Sequence, residues 1–183
     1  MELERVVGDI ADALKNIDSS KKRFKAFQAG VGPYGEPQLV KLVAEDLTRT
    51  PDYQGRVKTM RTPDLMIVGH WSLEVKIARP FGDNGKPAEN WSVNLLHPYG
   101  GNTSLLGDCL KLGSYPCEEK KAVIAIGYEH DPPRVTLEPL IRSFEVIARD
   151  VLNVDLGDRI TEIRSGLVHP VHQRLIVMGW PLG

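Results

Sequence analysis

The sequence contains little of several residue types that mark specialised classes of protein. Two cysteines, Cys109 and Cys117, are too few for a disulfide framework, and their spacing fits no zinc site. Aromatic residues make up only 7% of the 183 residues, and no apolar run approaches the roughly 18 residues that span a bilayer. The N-terminal residues lack the apolar stretch of a secretory signal. We therefore expect a reduced cytoplasmic protein with no membrane partner.

Net charge is also small, but the charges are unevenly distributed. The chain carries 23 basic and 24 acidic residues, a net charge of -1, which argues against a protein that coats nucleic acid by bulk charge. Residues 19–61 nevertheless contain nine Lys or Arg against four acidic residues, whereas residues 137–162 contain three against six. This asymmetry predicts one basic surface on a neutral molecule or, alternatively, ordinary solvated segments.

Hydrophobic periodicity predicts a single α/β domain that spans residues 1–183. The predicted helices cover residues 1–17, 36–50, 104–112 and 137–152, and the predicted strands cover 56–60, 64–68, 72–78, 121–128, 160–168 and 174–180. Residues 1–30 form an N-terminal helix and a basic connector in this prediction. Residues 79–103 are rich in Gly, Pro and Asn, and an irregular loop of that length inside a domain is usually functional.

The strongest indication of chemistry comes from two neighbouring predicted strands. Asp64 opens the first strand, and Glu74 and Lys76 lie two residues apart on the second, so they share one face. Two carboxylates at one point can hold a hard divalent cation such as Mg²⁺, which polarises a phosphate and helps to generate hydroxide. A lysine beside them can stabilise charge on phosphoryl oxygens or position an attacking water. This combination suits hydrolysis of a phosphodiester bond.

The sequence Pro63-Asp64, then nine residues, then Glu74-Val75-Lys76 resembles the signature of the PD-(D/E)XK nuclease superfamily, the fold of many restriction endonucleases. The resemblance covers residues 35–128. It implies a restriction-endonuclease-like α/β core, a central mixed β-sheet flanked by helices in the order αβββαβ, here followed by a C-terminal helix and a two-strand extension. It also implies an endonuclease that hydrolyses DNA with Mg²⁺, or with Mn²⁺ in its place, and has no organic cofactor.

The resemblance also implies roles for individual residues. The side chains of Asp64 and Glu74 and the backbone carbonyl of Val75 would bind the metal, and Lys76 would act at the phosphate. Members of the superfamily often add a third acid from the helix before the sheet, and Glu36 resembles it in place and orientation. The alternative for Glu36 is a carboxylate that only stabilises the N-terminus of its helix through the helix dipole. Because the strands of a DNA duplex run in opposite directions, we also expect a homodimer with one site for each strand.

Outside this motif, we single out five residues as candidates for binding nucleic acid. They lie in the basic segment before the motif, in the 79–103 loop and on the helix that follows it: Lys58, Arg61, His97, Tyr99 and Lys111. For His97 and Tyr99, the alternative is a structural turn. At the position of Lys111, members of the superfamily sometimes place a Lys or Gln that faces the site, but the favoured interpretation is an ion pair on the helix surface with Asp108, three residues earlier. His169 and His172 have the spacing of metal ligands, but Pro170 between them favours a turn that joins two strands.

The connection between the two motif strands decides whether the site can form. With a two-residue Gly69-His70 loop, Asp64 would oppose Val75 and would lie on the face away from Glu74. A three-residue connection or a bulge brings Asp64 onto the face of Glu74. We therefore predict the longer connection.

Three functions are compatible with these residues. The first is a restriction-type DNA endonuclease, and the second is a structure-selective repair, junction-resolving or transposition nuclease with the same cutting residues. The third is a non-catalytic nucleic-acid-binding or subunit module with the same fold, whose expected mark is loss of Asp64, Glu74 or Lys76. All three residues are present. An ordinary amphipathic hairpin, with Glu74 and Lys76 as a solvated surface pair, is the structural alternative.

Overall fold

Six strands form one mixed sheet with helices on both faces in the computed structural model, which describes residues 1–99 and 104–183. The helices are α1 (Leu3–Ser19), α2 (Glu36–Leu47), α3 (Val93–Leu96), α4 (Leu105–Gly113) and α5 (Glu138–Val146), and the strands are β1 (Val57–Thr59), β2 (Leu65–Ile67), β3 (Trp71–Ala78), β4 (Lys120–Glu129), β5 (Ile160–Ser165) and β6 (Arg174–Leu182). The predicted α/β class, with a mixed sheet flanked by helices, is confirmed. No helix in the described part of the chain is long and apolar enough to cross a membrane.

The strand order explains why a helix covers the centre of the sheet. The strands are arranged as β1-β2-β3-β4-β6-β5, and β3 pairs with β4 in parallel, whereas the other neighbours pair antiparallel. Parallel neighbours require a crossover connection, and here the crossover contains α3 and α4. It returns the chain across one face of the sheet, so α4 packs against both β3 and β4.

Each face of the sheet contributes to its own apolar core. On one face, Leu73 and Val75 of β3 pack with the apolar sides of α1 and α2. On the other face, Val123 of β4 packs with α4 and α5. Because β3 is buried along its whole length, Glu74 and Lys76, which alternate with the apolar residues, are buried as well. The solvated-pair interpretation of these two residues is therefore wrong.

The region after β3 is more ordered than a single long loop. An isolated bridge pairs Phe81 with Pro87, and the short helix α3 follows. The Ser104 hydroxyl caps α4 by accepting a hydrogen bond from the backbone N–H of Gly107 at 3.0 Å. Residues 100–103 of the predicted functional loop lie outside the described residues.

The predicted helix over residues 137–152 is α-helical only in its first part. The α-helix ends at Val146 and continues as a π-helical turn over Ile147–Val151. Within this turn, the Arg149 side chain donates hydrogen bonds to the carbonyls of Leu156 and Gly157, at 3.0 and 2.8 Å. This contact with the following segment is a tertiary interaction, so hydrophobic periodicity carries no sign of it.

The turn between β5 and β6 buries two histidines that hold neighbouring loops together. His169 Nδ1 accepts from the backbone N–H groups of Val171 and His172 at 3.1 Å, so its Nε2 carries the hydrogen and donates to Asp83 at 2.9 Å. Nε2 of His172 donates to the Phe81 carbonyl at 2.9 Å. The predicted turn is confirmed. Neither ring belongs to a group of His, Cys, Asp or Glu side chains that could hold a metal among the described residues.

His172 should make the fold sensitive to acid. Burial lowers the pKa of His172 from 6.5 to about 4, so the unfolded chain binds a proton in a pH range where the folded protein does not. Stability present above pH 6.5 is then lost as the pH falls from 6.5 to about 4, by about 3 kcal/mol. Denaturant unfolding at several pH values should show this loss in the wild type relative to His172→Gln, because titrations that the two proteins share cancel in the difference. His172→Gln keeps an N–H donor but does not titrate, and an equal loss in that variant would contradict the assignment.

Candidate active site

The β2–β3 hairpin places Asp64 opposite Glu74. Ile67 pairs with Trp71 and Leu65 pairs with Leu73, so three residues connect the strands. One step further along the same register, Asp64 faces Glu74 and therefore lies on its side of the sheet. The prediction of a three-residue connection is confirmed.

Two carboxylates continue the ladder of β3 beyond the end of β2. Pairing between the two strands ends at Leu65 and Leu73. The next N–H groups on this edge of β3 belong to Val75 and Ile77. Val75 N–H donates to Asp64 Oδ2 at 2.9 Å, and Ile77 N–H donates to Glu36 Oε2 at 3.3 Å. The acids thus take the place of a neighbouring strand's carbonyls, and this bonding holds both side chains at one end of the hairpin.

Lys76 is held between two acids that come from different helices. Its Nζ lies 3.0 Å from Oε1 of Glu36, at the start of α2, and 3.1 Å from Oδ2 of Asp108, on α4. Only 9% of the Lys76 side chain is exposed. The predicted inward orientation of Glu36 is therefore confirmed, since its carboxylate bonds to β3.

Lys111 and Asp108 do not form a pair on the helix surface. Asp108 is 1% exposed, and Lys111 Nζ lies 2.9 Å from its Oδ1 and 3.0 Å from Oε2 of Glu74. The prediction of a surface pair was wrong, because the polar side of α4 faces β3 rather than solvent. Acids and lysines alternate in the order Glu36, Lys76, Asp108, Lys111, Glu74, and Asp64 stands beside the last acid. We call these six residues the charged cluster.

Glu74 is a buried acid of the charged cluster whose pKa is strongly raised. It is 1% exposed, and its Oε1 is a buried atom without a hydrogen-bond partner. Burial, and then the negative charge of Asp64, raise the pKa of Glu74 to about 8, although the hydrogen bond from Lys111 opposes the shift. Ionised Glu74 therefore lacks full compensation from the protein, and a bound cation would supply it.

The pKa values of Glu36, Lys76 and Lys111 shift in directions that follow from their neighbours. Burial raises the pKa of Glu36, with partial opposition from Lys76. Burial lowers the pKa of Lys76, but Glu36 and Asp108 outweigh it, so the net pKa lies above the ordinary value. The pKa of Lys111 is raised in the same way by Asp108 and Glu74. Both lysines are consequently cations at neutral pH.

The residues predicted to bind a metal suit a small, hard cation. Asp64 and Glu74 offer carboxylate oxygens. The Val75 carbonyl lies on the same edge of β3 as the Val75 N–H, which donates a hydrogen bond to Asp64. Oε1 of Glu74 has no hydrogen-bond partner among the described residues and could therefore serve as a metal ligand. No group of three or more His, Cys, Asp or Glu side chains that could hold a metal occurs in the described part of the chain. A cation here would thus have two carboxylates and one carbonyl, with water completing the shell.

The other predicted nucleic-acid contacts lie outside the charged cluster. Lys58 is on the exposed edge strand β1, and Arg61 is exposed in the segment that leads to Asp64. His97 and Tyr99 contact each other edge to face, with ring centroids 5.3 Å apart. Of the five candidates, only Lys111 belongs to the charged cluster.

Asp108 is the residue of the charged cluster that sequence reasoning missed. The sequence did contain an indication of this residue, since the spacing of Asp108 and Lys111 places them on one side of α4. Periodicity predicted correctly that these residues share a side, but it did not show that this side faces a strand bearing charged residues.

Comparison of the chain with models of known protein families, with curated proteins and with solved structures gives no match. The residues and geometry of the charged cluster are therefore the basis on which a function can be assigned.

Proposed function

We propose that the protein is a metal-dependent endonuclease of the restriction-endonuclease-like fold that hydrolyses phosphodiester bonds in DNA. The observation that carries the proposal is the charged cluster itself, in which Lys76 is held between Glu36 and Asp108 beside the Asp64–Glu74 pair. Buried charges of this kind are costly unless they are paired, and clusters with perturbed pKa values occur preferentially at functional sites. Apart from the short helix α3 between β3 and α4, the order of α2, β1, β2, β3, α4 and β4 is the αβββαβ order of that core, which supports the fold assignment.

Asp64, Glu74 and the Val75 carbonyl would hold Mg²⁺ or Mn²⁺. When bound, the metal polarises the phosphate and activates water. Metal binding would release a proton, because Glu74 must lose the proton that its raised pKa favours before both of its oxygens can serve as ligands.

Lys76 would act on the phosphate or on the attacking water. Its ammonium group is oriented by Glu36 and Asp108, so it needs little rearrangement to donate a hydrogen bond to a phosphoryl oxygen. Glu36 would accept a proton from water that Lys76 positions, since the two side chains are already hydrogen-bonded at 3.0 Å.

Duplex DNA is the proposed substrate, and a homodimer is the proposed active form. The basic segment around Lys58 and Arg61 lies next to Asp64 in the chain and would contact flanking phosphates. A two-fold dimer would present one charged cluster to each antiparallel strand. A structure-selective repair, junction-resolving or transposition enzyme would use the same residues, since substrate choice depends on surrounding loops.

The direct test is incubation of the purified protein with supercoiled plasmid and Mg²⁺, with and without a chelator. We expect nicked and then linear plasmid in the presence of metal, and intact plasmid when the chelator is present. Cleavage that persists in excess chelator would overturn metal dependence. If neither Mg²⁺ nor Mn²⁺ supports cleavage of duplex or branched DNA, the non-catalytic binding module is the correct alternative.

A further inference from the structure

A cleft of about 400 Å³ opens beside the charged cluster at the carboxyl end of β3. Glu36 belongs both to its lining and to the charged cluster, and Phe27, Ile77 and Trp91 line it as well. Sites for small ligands commonly have this volume, and in open α/β sheets they commonly occur at the ends of strands. Because Glu36 also bonds to Lys76, an occupant of the cleft lies next to any phosphate held at Lys76.

The walls of the cleft are held by hydrogen bonds from several segments. Gln28, next to Phe27, donates to the side chain and to the carbonyl of Asp83, each at 2.9 Å. Arg79 donates to the carbonyls of Gly32 and Tyr34, at 2.6 and 3.2 Å. The cleft is therefore formed by the fold and does not require a ligand to assemble it.

The charges that line the cleft disfavour a phosphate as its occupant. Glu36, Asp83 and Glu89 contribute three carboxyl groups. Arg79 is the only Lys or Arg among the described lining residues, and its guanidinium donates hydrogen bonds to backbone carbonyls. An uncharged group with N–H donors would suit these walls better than an anion would.

The remaining walls combine ring faces with an exposed polar edge. Phe27 is 40% exposed and Trp91 is partly exposed, so both rings can stack against a flat ligand. Glu89 and Asn94 are exposed and can pair with the edge of that ligand. A nucleobase has both features, a flat ring and a hydrogen-bonding edge.

We infer that the cleft binds an unstacked nucleobase from a nucleotide next to the phosphate at Lys76, and that it favours bases with an exocyclic amino group. This inference rests on the proposed function and adds to it the selection of substrate. Adenine and cytosine can donate their amino hydrogens to Glu89, whereas thymine has no amino group. A base that is already unpaired enters at a lower free-energy cost than one taken from an intact duplex.

The test measures binding of labelled single-stranded oligonucleotides of adenine, cytosine or thymine by fluorescence anisotropy, with a chelator present so that nothing is cut. Wild-type protein should bind the adenine and cytosine strands more tightly than the thymine strand. Trp91→Ala should weaken binding of those two strands by about 5- to 150-fold, the range for loss of one stacked base. Trp91→Phe retains a ring and should stay close to the wild type, which separates loss of stacking from loss of folding.

Glu89→Gln tests the edge of the base. It should reduce the preference for adenine and cytosine over thymine, whereas Glu118→Gln, at an exposed glutamate outside the described cleft lining, should leave the preference unchanged.

The outcomes separate this inference from the proposed function. A wild type that nicks plasmid, shows no base preference and is unaffected by Trp91→Ala overturns the inference alone. A base preference that depends on Trp91, in a protein that never cuts, supports the cleft and overturns catalysis. A protein that neither binds these strands nor cuts overturns both.

Discussion

Replacing Lys76 by methionine is expected to lower the rate of DNA cleavage by about 10³-fold while leaving most of the DNA affinity intact. The ammonium group of Lys76 acts at one phosphate, so its loss should reduce the salt dependence of binding by about one unit at most. Plasmid nicking gives the rate, and a filter or anisotropy assay over a range of salt concentrations gives the affinity.

The Lys76 variant needs a control for stability, because the lysine is buried between two acids. Its removal leaves Glu36 and Asp108 without their shared cation, and breaking a buried pair costs about 3–5 kcal/mol. Adding Glu36→Gln to Lys76→Met removes one of these charges and should recover part of the stability without recovering cleavage. Lys41→Met, at an exposed position of α2, should behave like the wild type. A double variant that folds well and cuts at the wild-type rate would remove Lys76 from the reaction.

Glu74→Gln is expected to weaken binding of Mg²⁺ at least about tenfold and to reduce cleavage by about 10²-fold or more. The substitution keeps the size of the side chain but removes the charge that a divalent cation requires. Calorimetric titration with Mg²⁺ measures the affinity, and Asp64→Asn should give a similar loss. Glu45→Gln, at an exposed glutamate of α2, is the matched control. Unchanged metal affinity in both motif variants would place the metal elsewhere.

The raised pKa of Glu74 provides a second measurement on the same variant, without metal. Because the folded state holds this proton up to about pH 8 and the unfolded state only up to about pH 4.5, the contribution of Glu74 to stability is fully present below 4.5 and is lost as the pH rises through 8. The free energy of unfolding of the wild type should therefore fall relative to that of Glu74→Gln between these two values. With metal present, affinity for Mg²⁺ should rise with pH over the same range, since binding displaces the proton. A constant difference in unfolding free energy would show that Glu74 titrates normally.

Local patterns in the sequence were sufficient to predict most of the helices and strands and the hairpin that carries the motif. Strict alternation along residues 72–78 placed Glu74 and Lys76 on one face, and the requirement that Asp64 join them predicted the three-residue connection. These predictions succeeded because strand alternation and hairpin register depend on residues close together in the chain.

Contacts between segments that are distant in the chain could not be predicted from such local patterns. The bonds from His169 to Asp83 and from His172 to Phe81 join residues more than 80 positions apart, so neither histidine could be assigned a partner from spacing. The same holds for the cleft, whose walls come from the basic connector, the end of β3 and the segment before α3.

By itself, the sequence determined which residues carry charge on β3, that Asp64 could join them, and that Glu36 lies on the inward side of its helix. Only the tertiary structure decided that Asp108 and Lys111 complete the charged cluster. The physical reason is the parallel pairing of β3 with β4, which requires a crossover and brings α4 across that face of the sheet. Helical periodicity specifies which residues share a side, but the packing of the crossover specifies whether that side meets solvent or the buried carboxylate and ammonium groups of a neighbouring strand.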